Sequence, residues 1–346
     1  PEPLPKGKSE WRKAEQCLEV SMTRETSICK KIFFFEKKKV LAMSEKLNEN
    51  YAVMNLPDEM LHISLMDGQA RVLLCRTTAM ARKAAEIHAP SSTALAAMSR
   101  LMTATAMLGV MMKEKDASVT VTVAGDGPLG KMTAVAHGGN VKVSAHHPEA
   151  DLPLKKDGHL DVGGLVGHHG RLTVIKDLGM REPYVGQTEL VSGELGEDFA
   201  QYFTVSEQQP SLVALGALVH ERYCLSAGGV LVQAMPGCSD ELLDQLETRS
   251  MFFTAISREV ADMALEDLAK GWFDGLDMQI LSREAVKYQC DCSREKMEKA
   301  LIAMGRKDLQ QLMEEDGGAE LTCHFCRAAH RFSKEDLQHL LERASQ

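Results

Sequence analysis

The chain has 346 residues, enough for one sizeable core plus a smaller unit, and a formal charge of −9. That charge is uneven: residues 1–42 carry ten Lys/Arg against six Asp/Glu, leaving the remainder at −13, which argues against a nucleic-acid polyanion as main partner. No apolar run reaches the roughly 18 residues of a membrane span; the longest, Leu101–Met112, fits a buried helix.

Residues 1–59 read as a poorly ordered extension, Pro-rich at the start and Lys-rich, without helical or alternating period. Ile32–Phe35 is apolar, but Glu36 and Lys37–Lys39 stop it far short of a secretion signal, and Met22, Met43 and Met54 are each candidate starts. From about Met60 the texture is globular. Leu61–Arg76 alternates like a strand pair around Asp67-Gly68, a hairpin signal. Thr77–His88 reads as helix, and Ser91 or Ser92 can cap a long apolar helix running to about Lys113. The β-branched run from Val119 to Val123 predicts a strand, continued by Met132–Ala136 and Val141–Ala145 around the turn Gly138-Gly139-Asn140. Further strands are expected at Arg171–Ile175, Tyr184–Ser192, Leu212–His220 and Gly229–Met235, with a helix at Glu197–Ser206. Strands and helices mixed without a βαβ rhythm predict an α+β domain over residues 60–237.

Residues 238–289 change character, with eleven acids against five bases. Ser239–Lys270 has helical period, with Phe253, Ile256, Val260 and Met263 on one stripe. This predicts a helical linker whose apolar face lies on the preceding domain. Like charges at that density raise the cost of packing the stripe, so the linker is expected to be metastable.

Residues 290–346 form the last piece. Ser293 can cap a helix over Arg294–Met304 that Gly305 ends, Lys307–Glu315 is a second short helix, and Glu320–Cys323 a strand. Ser333 and Asp336 make a capping-box variant opening a final helix.

This segment carries the strongest chemical signal: Cys290-Asp-Cys292 and Cys323-His-Phe-Cys326, two close pairs separated by a short folded stretch. Such pairs can bring four sulfurs around one tetrahedral Zn²⁺. Each pair is also short enough to close on itself as a disulfide. Closing Cys290 to Cys292 makes a small ring with little freedom, hence a strained and readily reduced bond. A 57-residue unit is marginal on its own core, whereas a four-thiolate zinc site supplies roughly 10–16 kcal/mol, so metal loss should unfold it. The other five cysteines, Cys17, Cys29, Cys75, Cys224 and Cys238, show no framework spacing, which suits a reducing cytoplasm with a metal site.

Other motifs have plainer readings. Gly125–Gly130 matches GxGxxG by letter, but Pro128 and the strand after it make a turn between strands, not a phosphate loop. His146-His147 and His168-His169 lie beside turn residues without acidic partners at ligand spacing and read as surface histidines. Met98, Met102, Met107 and Met111, at helical spacing, read as core.

With the cysteines in place, the chain from about residue 60 to 346 resembles the redox-regulated thirty-three-kilodalton heat-shock protein family of bacterial holdase chaperones. The specific stretches are Cys290–Lys296, Glu314–Gly317 and Ala319–Cys326, supported by Gly125–Gly130, Lys176–Gly179, Val191–Phe199, Ser206–Pro210 and Ala227–Pro236. The departures are the N-terminal extension and His330-Arg331, where an aromatic often stands. The resemblance implies a cytoplasmic protein, not an enzyme, holding one Zn²⁺ on Cys290, Cys292, Cys323 and Cys326 when reduced and inactive. It further implies Cys290–Cys292 and Cys323–Cys326 disulfides on oxidation, zinc release, homodimers, ATP-independent binding of unfolding clients and hand-over to foldases.

Two other classes share the cysteines. A zinc-ribbon nucleic-acid binder would want a basic, aromatic surface, yet residues 290–346 hold nine Lys/Arg against eleven Asp/Glu. A thiol–disulfide oxidoreductase would place Cys323 at a helix N-terminus, whereas this pair joins two strand-like pieces.

Overall fold

The computed structural model describes residues 56–112, 114 and 116–343. Of the expected extension over residues 1–59, residues 1–55, with Cys17 and Cys29, lie outside the described residues.

In chain order, β1 (Glu59–Leu65) and β2 (Ala70–Arg76) form the expected hairpin, followed by helices α1 (Thr78–His88) and α2 (Ser92–Val110). Strands β3 (Ser118–Gly125), β4 (Met132–His137) and β5 (Asn140–Ala145) precede a short helix α3 (Val162–Val166). Next come β6 (Gly170–Asp177), β7 (Tyr184–Glu189), α4 (Gly196–Val205) and the long hairpin β8 (Ser211–His220) and β9 (Tyr223–Ala234). The chain then makes α5 (Asp240–Arg249), α6 (Ile256–Asp262), α7 (Leu265–Trp272), β10 (Met278–Ala285) and β11 (Lys287–Tyr288). It ends with α8 (Arg294–Ala303), α9 (Arg306–Glu315), β12 (Gly318–Thr322), β13 (Ala329–Ser333) and α10 (Lys334–Arg343).

Two sheets organise these elements. The first has order β10-β1-β2-β9-β8 and is antiparallel throughout; the second has order β11-β5-β4-β3-β6-β7, antiparallel except where β11 joins β5. Helix α2 lies between them, touching β8 and β9 of one and β3, β4 and β5 of the other. That position explains its sequence. A helix with protein on every side must be apolar all round, and its hydroxyls are bonded back: Ser99 donates to Leu95 O, Thr103 to Ser99 O and Thr105 to Leu101 O. Long and apolar enough by length and composition to cross a membrane, α2 is 94% buried inside the protein. Met98, Met102 and Met107 are core, and Ser91 is the N-cap, accepting from Ala94 N at 3.0 Å. At Gly109 the helix approaches the β4–β5 turn so closely that a Cβ would stand 2.6 Å from Gly138 O.

Alternation decides what each face of the first sheet meets. Met60, Leu73, Cys75 and Leu231 face α1, α2 and the second sheet, while Leu61, Ile63, Val72, Leu74, Val230 and Val232 face the segment after residue 237. Phe253, Ile256, Val260, Leu265, Leu268, Trp272 and Phe273 cover that second face. The linker's apolar side therefore does lie on the preceding sheet.

Its helical expectation needs two corrections. The run over 239–270 is broken into α5, a 3-10 turn at Ser250–Ala255, α6 and α7, and Met263 is partly exposed rather than on the stripe. Residues 278–285 are not helical: β10 pairs with β1 as an edge strand. Only Met278 and Ile280 of β10 pack on the core while Leu281 points to solvent, so the alternation that betrays a half-buried strand is too short to read.

The loop Gly125–Gly130 is the expected turn between β3 and β4. Gly127 serves contact with protein: a Cβ there would sit 2.3 Å from Leu165 O. The stretch Val191–Phe199 is built around the fully buried Asp198, whose carboxylate accepts the backbone N–H groups of Val191, Ser192, Gly193 and Leu195. His146, His147, His168 and His169 are exposed, as read.

Residues after β11 make a third, small core of Leu301, Leu309, Phe332, Leu337 and Leu340. Ser293 caps α8, and the capping box is present: Ser333 N donates to Asp336 Oδ2 at 2.8 Å and Asp336 N to Ser333 Oγ at 3.2 Å. Sheets and helices together make an α+β fold, with a cluster of four cysteines in the C-terminal region.

Candidate metal centre

Cys290 and Cys292 sit in the irregular stretch between β11 and the N-cap of α8. Cys323 follows β12 directly, and Cys326 lies in the turn before β13. Two backbone bonds close that turn: Cys323 N donates to Ala328 O and Arg327 N to Cys323 O, each at 2.9 Å. Each pair thus hangs from a structured element, and the antiparallel β12–β13 ribbon fixes the second.

The fold brings all four sulfurs within 4.8 Å of one another. The shortest approaches cross between the pairs, Cys290 Sγ to Cys323 Sγ at 3.7 Å and Cys292 Sγ to Cys326 Sγ at 3.3 Å. Four sulfurs about 2.3 Å from a central Zn²⁺ would stand about 3.8 Å apart along the tetrahedron edges. Disulfide sulfurs would be about 2.05 Å apart, and these cysteines are free. Geometry and donor type therefore fit a tetrahedral thiolate metal site. His324 is exposed and outside the group.

Burial pushes the Cys290 thiol up to about 11 and Cys292 higher still. Burial also pushes Cys323 upward, but the backbone N–H groups of Cys326 and Phe325 outweigh it and leave that thiol below its ordinary value. Two of the sulfurs thus hold their protons at neutral pH unless a cation binds there, stabilises the thiolates and releases those protons to solvent, as a metal ion does. Asp291, between the first two cysteines, is held well below the usual carboxylate range by hydrogen bonds from Lys142 and then Lys296.

Three residues at this site were not singled out from sequence. Lys142, on β5, pairs with Asp291 and places its Nζ 4.9 Å over the Phe325 ring. The Tyr288 hydroxyl lies within reach of Phe325 O and of Val143 O, the latter at 3.2 Å. Phe325, inside the second cysteine pair, is the one a reader of the motif could have marked. Cys75 and Cys224 are buried in the core, apart from the cluster, and burial raises both thiols, Cys224 to about 12.

Comparison with known proteins gives one consistent answer. Residues 58–333 match the family model described as Hsp33 protein. The chain is 42% identical over 291 residues to the 33 kDa chaperonin of Clostridium perfringens strain SM101, covering 83% of this chain and 92% of that one. It is 39% identical over 289 residues to the 33 kDa chaperonin of Clostridium tetani, covering 83% and 98%. Among solved structures, that of the 33 kDa chaperonin (heat shock protein 33 homolog) of Thermotoga maritima superposes with a TM-score of 0.76 at 30% identity. It covers 84% of this chain and 99% of that one.

Proposed function

The chain belongs to the Hsp33 family of chaperones, and from that premise we propose that it is a redox-switched, ATP-independent holdase. When reduced, Cys290, Cys292, Cys323 and Cys326 hold one Zn²⁺ and the protein is inactive. Oxidation joins Cys290 to Cys292 and Cys323 to Cys326. Each disulfide forms as two thiolates give up two electrons to a hydroperoxide such as H₂O₂, which with two protons leaves as two waters.

Consumption of the donors removes what retains the ion. A C-terminal core of five buried side chains then cannot pay the conformational entropy of its own segment. Residues 290–343 unfold, the acidic linker loosens from its sheet, and the uncovered apolar surface binds unfolding clients in a homodimer. Clients pass to foldases, and the setting is the cytoplasm.

One observation carries this reading: four free sulfurs within 4.8 Å, at near-tetrahedral separations, on a unit with little else to hold it. The test measures zinc and free thiols before and after peroxide at mild heat, alongside light scattering from an unfolding client. Stoichiometric zinc, its release on oxidation, and protection only by the oxidised form are expected. Equal protection by both forms ends the switch.

A further inference from the structure

The four-cysteine unit meets the core through a narrow junction. β11 runs parallel to the outer edge of β5 for two residues, Lys287 beside Asn140 and Tyr288 beside Val141. Lys287 N donates to Gly139 O and Gln289 N to Val141 O, both at 2.9 Å. Val286 and Tyr288 pack on the core and the Tyr288 hydroxyl bonds Val143 O and Phe325 O, while a two-residue ladder adds little by itself.

Lys142 reaches across this junction from β5 and touches one residue of each cysteine pair. Its ammonium pairs with Asp291, between Cys290 and Cys292, and lies over the ring of Phe325, between Cys323 and Cys326. These partners come from segments more than thirty residues apart and sit together because their flanking sulfurs do. Asp291 has a second cation, Lys296, on its own segment.

We propose that Lys142 is the positioning residue that couples closure of the four-sulfur cluster to the docking of β11 on β5. With both pairs around one centre, Lys142 meets a carboxylate and an aromatic face at once. When the pairs part, Asp291 keeps Lys296 and need not stay with Lys142, while Phe325 is no longer held beside it. A single exposed ion pair or cation–π contact is weak, so β11 lifts and the β5 edge opens. Its use in the cell rests on the holdase reading above, whereas the coupling itself can be seen without any oxidant.

The experiment follows amide exchange at Lys287 and Gln289 in the full chain, reduced and zinc-loaded, with zinc per chain measured in parallel. In the wild type both amides are protected, and a chelator in reducing buffer abolishes that protection. Lys142→Met is expected to keep its zinc yet exchange both amides about tenfold faster, while Lys142→Arg, which keeps charge and ring contact, stays near wild type. Phe325→Leu should mimic Lys142→Met, and the double variant should add little to either single change, since all remove one coupling.

Wild-type protection in zinc-loaded Lys142→Met overturns the proposal. So does loss of zinc from that variant, because the cluster must close without the lysine, or full additivity in the double variant. Should Lys142→Met fail to fold, Phe325→Leu carries the same readout, and slow exchange there overturns it. Client protection by peroxide-treated wild type is scored separately: its failure beside fast exchange in Lys142→Met sinks the holdase reading and leaves the coupling standing.

Discussion

Arg76 Nε donates to the carbonyl oxygen of Val260 at 2.8 Å, tying strand β2 to the last turn of α6 across 184 residues of sequence. The side chain is almost wholly buried, also donates to Met263 O and Pro57 O, and stands 4.0 Å from the Glu59 carboxylate. A guanidinium suits the C-terminal end of a helix, where carbonyls lack partners and the dipole is negative.

Arg76→Met should therefore strand several buried acceptors together and cost about 2–4 kcal/mol. Urea unfolding reads the loss, and amide exchange should rise first in α6. A variant as stable as wild type would mean that these carbonyls find water instead.

Stripping the metal with a chelator in reducing buffer should melt residues 290–343, free β11 from β5 and spare the remaining strands of both large sheets. A structural zinc site supplies roughly 10–16 kcal/mol, more than so small a core can replace. Far-UV circular dichroism should lose the signal of α8, α9 and α10 while strand signal persists, and Cys323→Ser should look the same without chelator. A helical apoprotein would contradict this.

His88 supplies a pH dependence. Burial, then the charge of Arg327, hold its imidazole below the ordinary value of 6.5; its Nε2 lies 3.4 Å from the Tyr288 hydroxyl, and its Nδ1 has no partner. The unfolded chain thus takes up this proton before the folded one does. Stability from this group is constant above pH 6.5 and falls as pH drops below it toward the folded value. NMR titration of the His88 ring should give a midpoint under 6.5, and His88→Gln should flatten the acid limb of the stability curve. A midpoint above 6.5 would reverse the sign.

Gly109→Ala tests the seat of α2. The new methyl would meet Gly138 O at 2.6 Å and Ala136 Cβ at 2.7 Å, neither a flexible side-chain tip. Overpacking of this kind costs about 1–3 kcal/mol, although alanine is the better helix former. A rise in melting temperature would show that the β4–β5 turn yields freely.

Much of this was legible in the chain itself. Asp67-Gly68, Ser91, Ser293 and the Ser333/Asp336 box act through local backbone geometry, so their signal lies within a few residues. The four sulfurs were legible because metal ligation demands a residue type and a spacing. β10 and β11 were not, since what makes them strands is an edge offered by β1 and β5 far away in sequence. Lys142 was invisible for a related reason: on a strand with Val141 and Val143 facing inward, a lysine is the ordinary outward residue, and only tertiary packing puts Asp291 beneath it.

The two sheets differ in when their central strands can pair as the polypeptide leaves the ribosome, although each gains its last edge strand, β10 or β11, from residues 278–288. Strands β3 to β7 all lie within residues 118–189, with only the short helix α3 among them, so five neighbouring strands can assemble once that stretch has emerged. The β1–β2 hairpin is made first yet must wait for β9, beginning at Tyr223, to cover the β2 flank and for β10, ending at Ala285, to cover the β1 flank. A member of a chaperone family therefore spends much of its own synthesis with an uncovered apolar hairpin.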